Sequence, residues 1–560
     1  MARTASSPAW LRGILARGLS EDRDQRFPSM AELLAAMTRA QTRVRRRTAA
    51  LGVGVAVALL MAGAWRLGAV RNVACAVPRD QLAAVWQSGD EATHPRRQAL
   101  HRAFIASGLP AAEAAWRRVA GALDEYTAQW SAMYVGACEA THVRGDQTAE
   151  VLGLRMDCLN ETLDGVRALT EVLSRADATM VGQAATAARN LTPVKHCADV
   201  PALRSAVPVP HDDATAGAVA EVRRTLRDAY ALFEVGNERA ALARARAILP
   251  RAEVTQYKPV VAEVLHQIAY MQSDGAPAEA EQTFEEALDE AEAARDDLTA
   301  AKAAIGLVFV TAIAKEQRHE NEQWRKLAHA IVDRLPPPQH RLRGWLLNNE
   351  AAAFLQQRRF EEARRLLEQS VALKEEELGK NHPDIVRTNI GLIWALNELG
   401  RPAEGLRIAD QCLAVLGPLD ADSVLLAYTL NNRGDALSAL RRYAEAERDY
   451  QTSLRIMRAQ FGETSSVTAV PIVGIGNARL GQGDVAGAVR ELEHALALQQ
   501  GSTPDPTAVA DTRFALARAL VASGRERARA RGLAGAAERA YASEGIDGKQ
   551  REVAAWLAAH

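Results

Sequence analysis

Small and aliphatic residues follow a long-range pattern over the C-terminal two-thirds of the chain. A small residue followed by a large aliphatic one recurs at a nearly constant interval, in the pairs Ala247-Ile248, Ala287-Leu288, Ala330-Ile331, Ser370-Val371, Cys412-Leu413, Ser453-Leu454 and Ala495-Leu496. Seven positions before the small member stands another small residue, namely Ala240, Ala280, Ala363, Gly405, Ala446 or Ala488, and only the third repeat differs, with Gln323. A spacing of seven is two helical turns, so both small residues lie on one helix face that a neighbouring helix can approach closely. The pattern predicts a solenoid.

Each repeat is predicted to contain two helices. In the repeat that ends with Ser453-Leu454, the helices cover residues 426–440 and 444–461, with a turn at residues 441–443. The preceding repeat turns at Gly400-Arg401-Pro402 and the following one at residues 481–484, which include Gly481 and Gly483. Glycine ends a helix readily and proline begins the next, so these turns separate two antiparallel helices.

The short motifs of these helices resemble the tetratricopeptide repeat (TPR), in which N-N-x-A/G is followed by G-x-Y/F-x-E-A. The matching residues are Asn348-Asn349-Glu350-Ala351 with Phe360-Glu361-Glu362-Ala363, and Asn431-Asn432-Arg433-Gly434 with Tyr443-Ala444-Glu445-Ala446. The period exceeds the usual ~34 residues, and the longer second helices are similar to the variant found in kinesin light chains. The resemblance covers roughly residues 220–540 and implies an α-solenoid, without indicating a ligand.

Composition agrees with an all-α chain and excludes some partners. The sequence has 560 residues, a formal net charge of −1 and 5% aromatic residues. A charge so near zero gives no general attraction to nucleic acid, which we do not expect as a partner. Neither a metal-ligand motif nor a catalytic arrangement is present, so we predict no cofactor and no metal site.

The N-terminal segment, residues 1–40, resembles the end of another fold. Residues 10–34, with Arg17, Asp22, Arg26, Phe27 and Ser29 at fixed spacing, are similar to the last two helices of the C-lobe of eukaryotic-type serine/threonine protein kinases. The resemblance implies that Arg26 is the arginine that braces this lobe. The phosphate-binding and catalytic motifs of kinases are absent, so the chain as written is not predicted to be an enzyme.

An uncharged run at residues 48–65 follows the cluster Arg43, Arg45, Arg46 and Arg47. Its length is at the short end of what spans a bilayer, and positive charge prefers the cytoplasmic side. We therefore predict a transmembrane helix in an inner membrane, with a cytoplasmic N-terminus and an extracytoplasmic repeat array. The alternative is a buried helix in a soluble protein.

Four of the five cysteines lie in one segment, at Cys75, Cys138, Cys158 and Cys197. Their spacing is not that of a zinc site, so two disulfides are predicted if the segment lies outside a reducing compartment, with three pairings open. Cys412 stands where other repeats have Ala or Ser and is predicted to be a buried, reduced residue.

The segment with these cysteines is predicted to be helical over residues 109–139 and 147–176, with a break at the two prolines Pro208 and Pro210. Its order of residues resembles the extracytoplasmic region of bacterial transmembrane kinases that carry TPR arrays. The predicted organisation is a kinase-lobe remnant (1–40), a basic flank and membrane helix (41–70), a helical region (71–206), a linker (207–219), the TPR array (220–506) and a terminal cap (507–560) in which Trp556-Leu557 folds back.

The first helices of a solenoid line a concave groove that suits a protein or peptide segment. Candidate groove residues lie near equivalent positions of successive first helices: Asn349, Asn389, Asn432 and Asn477, with Arg387, Arg433 and Arg479 beside them. The asparagines could instead bridge neighbouring repeats. We therefore predict a membrane-anchored TPR module that binds proteins or peptides as the sensor or scaffold part of a kinase; a fragment of an active transmembrane kinase and a soluble cytoplasmic scaffold are the alternatives.

Overall fold

The structure is a computed structural model of the chain. It describes residues 8–87, 89, 94–205, 207–210, 212–313, 318–417, 423–500 and 505–560, apart from the side chains of residues 47, 51, 60, 62–74, 318 and 319. The chain divides into two compact parts, Met1–Val77 with Cys138–Asp146, and Pro78–Ala137 with Gln147–His560. Over the described ranges the regular structure is helical and contains no strand, which confirms the all-α prediction.

The first part contains helices α1 (Ala9–Gly18) and α2 (Met30–Ala74), separated by a 3₁₀ turn at Arg23–Gln25. Ser29 caps α2, since its hydroxyl accepts a hydrogen bond from the backbone of Glu32 at 3.3 Å. The guanidinium of Arg26 donates from Nε to the carbonyl of Ser20 at 2.6 Å. Cys75 is paired with Cys138 in a disulfide.

The predicted membrane segment, residues 48–65, lies in α2, and the side chains of residues 51, 60 and 62–65 are outside those that the structure describes. Among the residues it does describe, none of the helices combines the length and the apolar character that a bilayer crossing requires. Such a crossing takes about 20 consecutive apolar residues. The prediction of a single-pass inner-membrane protein, held by one helix and with the array outside, is therefore wrong.

The second part begins with a group of helices that we call the bundle: α3 (Arg79–Val85), α4 (Pro95–Ala106), α5 (Ala112–Glu139), α6 (Ala149–Leu173), α7 (Ala178–Arg189) and α8 (Val200–Ser205). Trp86, Phe104, Trp116 and Trp130 fill its core. The indole of Trp130 donates to the carbonyl of Leu159 at 2.8 Å. A disulfide between Cys158 and Cys197 joins α6 to the 3₁₀ turn Val194–Ala198.

Antiparallel helix pairs, which we number repeats 1 to 8, follow the bundle. The first helices are α9 (Asp213–Glu234), α11 (Lys258–Gln272), α13 (Asp297–Ile313), α15 (His340–Gln356), α17 (Pro383–Glu398), α19 (Val424–Ala439), α21 (Ala469–Gln482) and α23 (Pro506–Ala522). The second helices are α10 (Glu238–Val254), α12 (Pro277–Ala294), α14 (Arg318–Arg334), α16 (Phe360–Leu378), α18 (Pro402–Leu416), α20 (Tyr443–Phe461), α22 (Val485–Gln500) and α24 (Arg527–Ser543). The first of these, α9, begins inside the segment predicted as a linker.

The small residues of the repeat pattern lie on the buried faces of the second helices in most repeats. Ala280, Ala287, Ala363, Ala446 and Ala488 are fully buried, which lets the helices of neighbouring repeats approach closely. In repeats 1 and 3 the small residue in contact stands two positions earlier, at Ala245 and Ala328, so that Ala247 and Ala330 are exposed.

The close approach of neighbouring helices also explains two glycines, Gly474 of α21 and Gly434 of α19. A Cβ on Gly474 would lie 2.5 Å from the ring of Tyr450, and one on Gly434 would lie 2.6 Å from the same ring. The Tyr450 ring therefore fits between two first helices because neither has a side chain there. The G-x-G-N sequence at this point serves packing within a helix.

The array ends with helix α25 (Asp547–Ala559), which covers the last helix pair. The Trp556 ring meets the Phe514 ring edge-on, with centroids 5.7 Å apart. The guanidinium of Arg531 donates to the carbonyl of Leu557 at 3.0 Å. This helix shields apolar surface that a terminal repeat would otherwise leave in water.

A histidine bridges repeats 3 and 4, and it predicts a pH dependence. His329 Nε2 lies 2.6 Å from a carboxylate oxygen of Glu350, whose side chain is only 3% exposed. This hydrogen bond to Glu350 raises the pKa of His329 above its ordinary value of 6.5. The stabilisation is complete below pH 6.5 and is lost as the pH rises through the raised pKa.

We expect the melting temperature of the wild-type chain to fall as the pH rises from 6.5 through the raised pKa of His329, because the buried carboxylate stabilises only the protonated imidazole. His329→Gln should reduce this slope, while His494→Gln, at an exposed histidine of α22, should leave it unchanged. Equal slopes for wild type and His329→Gln would show that the pair does not control stability in this range.

Candidate functional site

The first helices of the array form one continuous surface. Each packs beside the first helix of the next repeat, from α9 through to α23, so the array curves with its first helices on the inside, as expected of a helical solenoid. We call the large polar or aromatic residues on this side the inner surface: His266, Tyr270, Lys302, Arg341, Trp345, Arg387 and Tyr428.

Charges on distant repeats act on one another across this surface. Asp274 of repeat 2 contributes to the raised pKa of Tyr428 in repeat 6, after the larger effect of burial. Burial alone would lower the pKa of Arg387, but Tyr270, Asp384, Glu234 and Asp274 together raise it. Groups more than a hundred positions apart in the sequence therefore act on one another's pKa values across the first helices.

Aromatic rings from repeats 1, 2 and 4 meet at one end of the inner surface. Tyr270 lies 5.4 Å from Phe233, 6.5 Å from His266 and 6.2 Å from Trp345, between ring centroids. His266 and Trp345 are 6.5 Å apart and nearly perpendicular. Burial and the nearby Lys302 lower the pKa of His266 to about 3, so the ring is neutral and packs as part of an apolar cluster.

One large side chain stands at the same register in four successive first helices. The row consists of Trp345, Arg387, Tyr428 and Val470. Each stands the same number of positions before the aliphatic member of its repeat's pair, which is Val371, Leu413, Leu454 or Leu496, respectively. Tyr428 and Val470 are 37% and 49% exposed, although large side chains in this array are mostly covered. Arg387 is exposed as well, whereas Trp345 is half-buried against His266 and Tyr270. The row therefore presents a sizeable side chain to the solvent in repeats 5, 6 and 7.

The cations of the inner surface differ from those of the second helices. Among the described residues, the side chains of Lys302 and Arg341 form no ion pair. Burial lowers the pKa of Lys302, and the neighbouring Arg341 lowers it further, against Glu263 and Asp296. By contrast, several arginines on or just before the second helices are paired with a nearby carboxylate, as in Arg364–Glu361, Arg401–Glu404, Arg442–Glu445, Arg246–Glu279 and Arg529–Glu493.

The predicted asparagines make contacts between repeats. Asn349 donates from Nδ2 to the carbonyl of Ile305 at 3.0 Å, and Asn432 donates in the same way to Ile390 at 2.9 Å. Each bond joins a first helix to the first helix of the preceding repeat. These two asparagines therefore bridge neighbouring repeats, which is the alternative given in the sequence analysis. A hydrogen bond from Asn389 counters the rise that burial causes in the pKa of Cys412. Asn477 is half-buried on α21.

Two of the three predicted arginines are occupied by carboxylates of the array. Arg433 contacts Asp410 and Asp449 at 2.8 Å each. Arg479 contacts Glu447 at 2.9 Å and Glu491 at 2.8 Å. Arg387 is different, because its side chain is 53% exposed and its nearest carboxylate, Asp384, is 4.0 Å away. Of the predicted groove residues, Arg387 alone lies in the exposed row.

Sequence reasoning missed His266, Tyr270, Lys302, Arg341, Trp345 and Tyr428. A usable signal was present, since counting back the same interval from each aliphatic position gives Trp345, Arg387, Tyr428 and Val470. The N-N motif, from which the candidate asparagines were predicted, lies about one helical turn further along and points towards the neighbouring repeat.

Comparison with known proteins agrees with the fold. Residues 342–417 and 425–501, which cover repeats 4 to 7 apart from their connecting loop, match the family described as tetratricopeptide repeat. No curated protein matches the sequence. The resemblance of residues 10–34 to a kinase lobe has no support from these comparisons.

Among solved structures, the chain is similar to kinesin light chain TPR-like repeats from Podosopora anserina, with 22% identity over 37% of this chain and 97% of that chain and a TM-score of 0.30. It is similar to a Rap protein complexed with competence and sporulation factor, with 13% identity, 60% and 99% coverage and a TM-score of 0.41. A signal transduction ATPase with a TPR sensor from Pyrococcus horikoshii has 11% identity, 82% and 74% coverage and a TM-score of 0.39.

Proposed function

We propose that this chain binds an extended segment of a partner protein along the inner surface of its TPR array. The observation that carries the proposal is the row of large side chains at one register, one per repeat, from Trp345 to Val470, of which Arg387, Tyr428 and Val470 are exposed. A surface of this kind offers regularly spaced contacts to a chain that runs across the repeats.

The spacing of the row suits an extended peptide. Packed helices lie about 8–10 Å apart, and an extended chain advances about 3.3 Å per residue. One contact per repeat therefore corresponds to about every third residue of the ligand. Four contacts from Trp345 to Val470 would engage a segment of roughly nine or ten residues.

The residue types in the row favour binding by a few strong contacts. Tryptophan, tyrosine and arginine are enriched among interface residues whose truncation costs most, because they bury large areas and can still form a polar contact. Arg387 keeps donors available for carbonyl or carboxylate groups, since its nearest acidic partner is 4.0 Å away. Trp345 and Tyr428 lie on the repeats to either side of it.

A random twelve-residue display library panned on the purified chain tests this proposal. We expect a selected peptide to bind Tyr428→Ala and Arg387→Ala about 10–30-fold more weakly than wild type, which corresponds to the loss of about 1.4–2 kcal/mol per contact residue. Affinity would be measured by calorimetry, with melting curves to show that each variant is folded.

Matched controls come from α20 and the turn that precedes it. Arg442→Ala removes an exposed arginine that pairs with Glu445, and Phe461→Ala removes a 41% exposed aromatic residue at the end of α20. Both should bind the peptide as wild type does. Loss of binding in these variants, with normal binding by Tyr428→Ala and Arg387→Ala, would place the ligand on the outer side and contradict the proposal.

A further inference from the structure

The bundle is attached to the array at points far apart in the sequence. Arg118 donates to the carbonyl of Leu416 at 2.7 Å, and Arg189 donates to the carbonyl of Val415 at 2.9 Å. Both carbonyls belong to the last turn of α18, in repeat 5. Lys195 reaches the carbonyl of Glu376, near the end of α16, at 3.5 Å. Helix C-termini carry unpaired carbonyls and partial negative charge, so cations are favoured there.

The bundle is also held at the opposite end, by repeat 1. Arg167 pairs with Asp228 at 3.0 Å, and Arg227 pairs with Asp164 at 3.0 Å. The Asn190 amide donates to Glu234 at 2.7 Å. Repeat 1 is therefore tied to repeats 4 and 5 through the bundle as well as through the intervening array.

These attachments are on repeats to either side of repeat 3, whose Lys302 side chain is half-buried. His196, in the turn that Cys197 anchors to α6, has a pKa lowered first by burial and then by Lys302 of repeat 3. Glu161 of α6 in turn acts on the pKa of Lys302. The charge of Lys302 therefore interacts with groups of the bundle as well as with Glu263 and Asp296 of the array.

We infer that the bundle is a clasp: the contacts of Arg118 and Arg189 with the end of α18 hold the array in its closed curvature, and their release opens the inner surface around Lys302. Because the inner surface is the proposed binding site, this inference rests on the proposed function and adds a regulation to it. Opening is a movement of the bundle and the end of α18 relative to each other, while each remains folded.

Acetylation of lysines by acetic anhydride, followed by mass spectrometry, measures the opening without any ligand. Lys302 reports on the inner surface, and Lys326, whose side chain is 75% exposed on α14, is the reference in the same molecule. We expect Arg118→Ala/Arg189→Ala to raise the labelling rate of Lys302 and leave that of Lys326 unchanged. Each hydrogen bond shifts the closed–open equilibrium about five-fold, so the double variant shifts it about 25-fold.

Arg102→Ala, at an exposed arginine of α4, is the matched control and should label as wild type does. If the double variant unfolds, all lysines will label faster. The milder single variant Arg189→Gln then tests whether the clasp exists. It should raise the Lys302 rate about five-fold with an unchanged melting temperature. A Lys302 rate equal to that of wild type in folded Arg118→Ala/Arg189→Ala, or in Arg189→Gln, overturns the clasp.

A second arm separates the clasp from the proposed function. The selected display peptide should associate faster with the double variant than with wild type, because its site is open more of the time. Faster Lys302 labelling without any effect on peptide association would leave the clasp in place and contradict the site. If the Lys302 labelling rate is unchanged in the double variant while Tyr428→Ala still weakens peptide binding, the clasp is contradicted and the proposed site stands.

Discussion

Replacing Lys374 with methionine is expected to lower the free energy of unfolding by about 3 kcal/mol, because it leaves the carboxylate of Asp384 in the protein without its partner. The side chain of Lys374 is 1% exposed, and its ammonium lies 3.1 Å from Asp384. It also donates to the hydroxyl of Thr388 at 2.9 Å. The expected loss is at the lower end of the range for a buried ion pair because the Asp384 side chain is 28% exposed.

The pKa of Asp384 indicates how strongly it depends on its cationic neighbours. Burial alone would raise this pKa, but Lys374, Arg387 and Arg341 lower it to about 2. The stabilisation from this carboxylate is therefore present above its ordinary pKa of 3.8 and is lost as the pH falls towards 2. Lys374→Met should make acid unfolding begin at a higher pH.

Urea unfolding at neutral pH measures the loss, and the double variant Lys374→Met/Asp384→Asn is the informative control. It removes both charges and should recover most of the lost stability. Lys326→Met, which breaks the exposed pair with Glu322, should change stability by no more than about 0.5 kcal/mol. If Lys374→Met is as stable as Lys326→Met, the pair does not stabilise the array.

Replacing both Cys158 and Cys197 with alanine is expected to lower the stability of the bundle by about 4 kcal/mol, the chain-entropy value for a closed loop of about 40 residues. The two cysteines are 39 positions apart and join α6 to the turn that carries Lys195 and His196. Without the disulfide, that turn keeps the bond from Arg155 Nε to the carbonyl of Cys197 at 3.1 Å.

Thermal unfolding of oxidised wild type, reduced wild type and the double alanine variant tests this expectation. The double alanine variant should unfold at a lower temperature than oxidised wild type. Reduced wild type, which also loses the Cys75–Cys138 disulfide, should unfold at a temperature no higher than that of the variant. Cys412→Ala, at the buried free thiol of α18, should respond to reductant as wild type does. Digests of the unreduced protein that show free thiols at both Cys158 and Cys197 would contradict the pairing.

The repeat period was enough to predict the array, because both helices of a repeat depend on local sequence. The turns at Gly400 and Gly483 follow directly from residues that favour helix ends, and the small residues of the second helices mark packed faces. In repeats 1 and 3 the residue in contact is two positions earlier, at Ala245 and Ala328. These second helices contain several alanines, so the sequence alone does not show which alanine faces the neighbouring repeat.

The site was harder to predict, because its geometry depends on contacts between repeats. From the sequence alone, the Asn432 amide could bind a ligand or a neighbouring backbone. In the structure it donates a hydrogen bond to the carbonyl of Ile390. Nothing local distinguishes Arg387 from Arg433, yet only Arg433 finds two carboxylates within 2.8 Å. The contacts of the bundle with repeats 4 and 5 join residues 181 to 298 positions apart, and no repeat pattern relates them.

The most direct test of the central claim is to locate the bound peptide. A display-selected peptide that carries a benzophenone residue is irradiated in complex with the full chain, and the crosslinked positions are identified by mass spectrometry. The account predicts crosslinks on the inner surface, at Tyr270, Trp345, Arg387 or Tyr428, which Tyr428→Ala reduces. Crosslinks confined to the second helices, at positions such as Arg442 or Phe461, would contradict it.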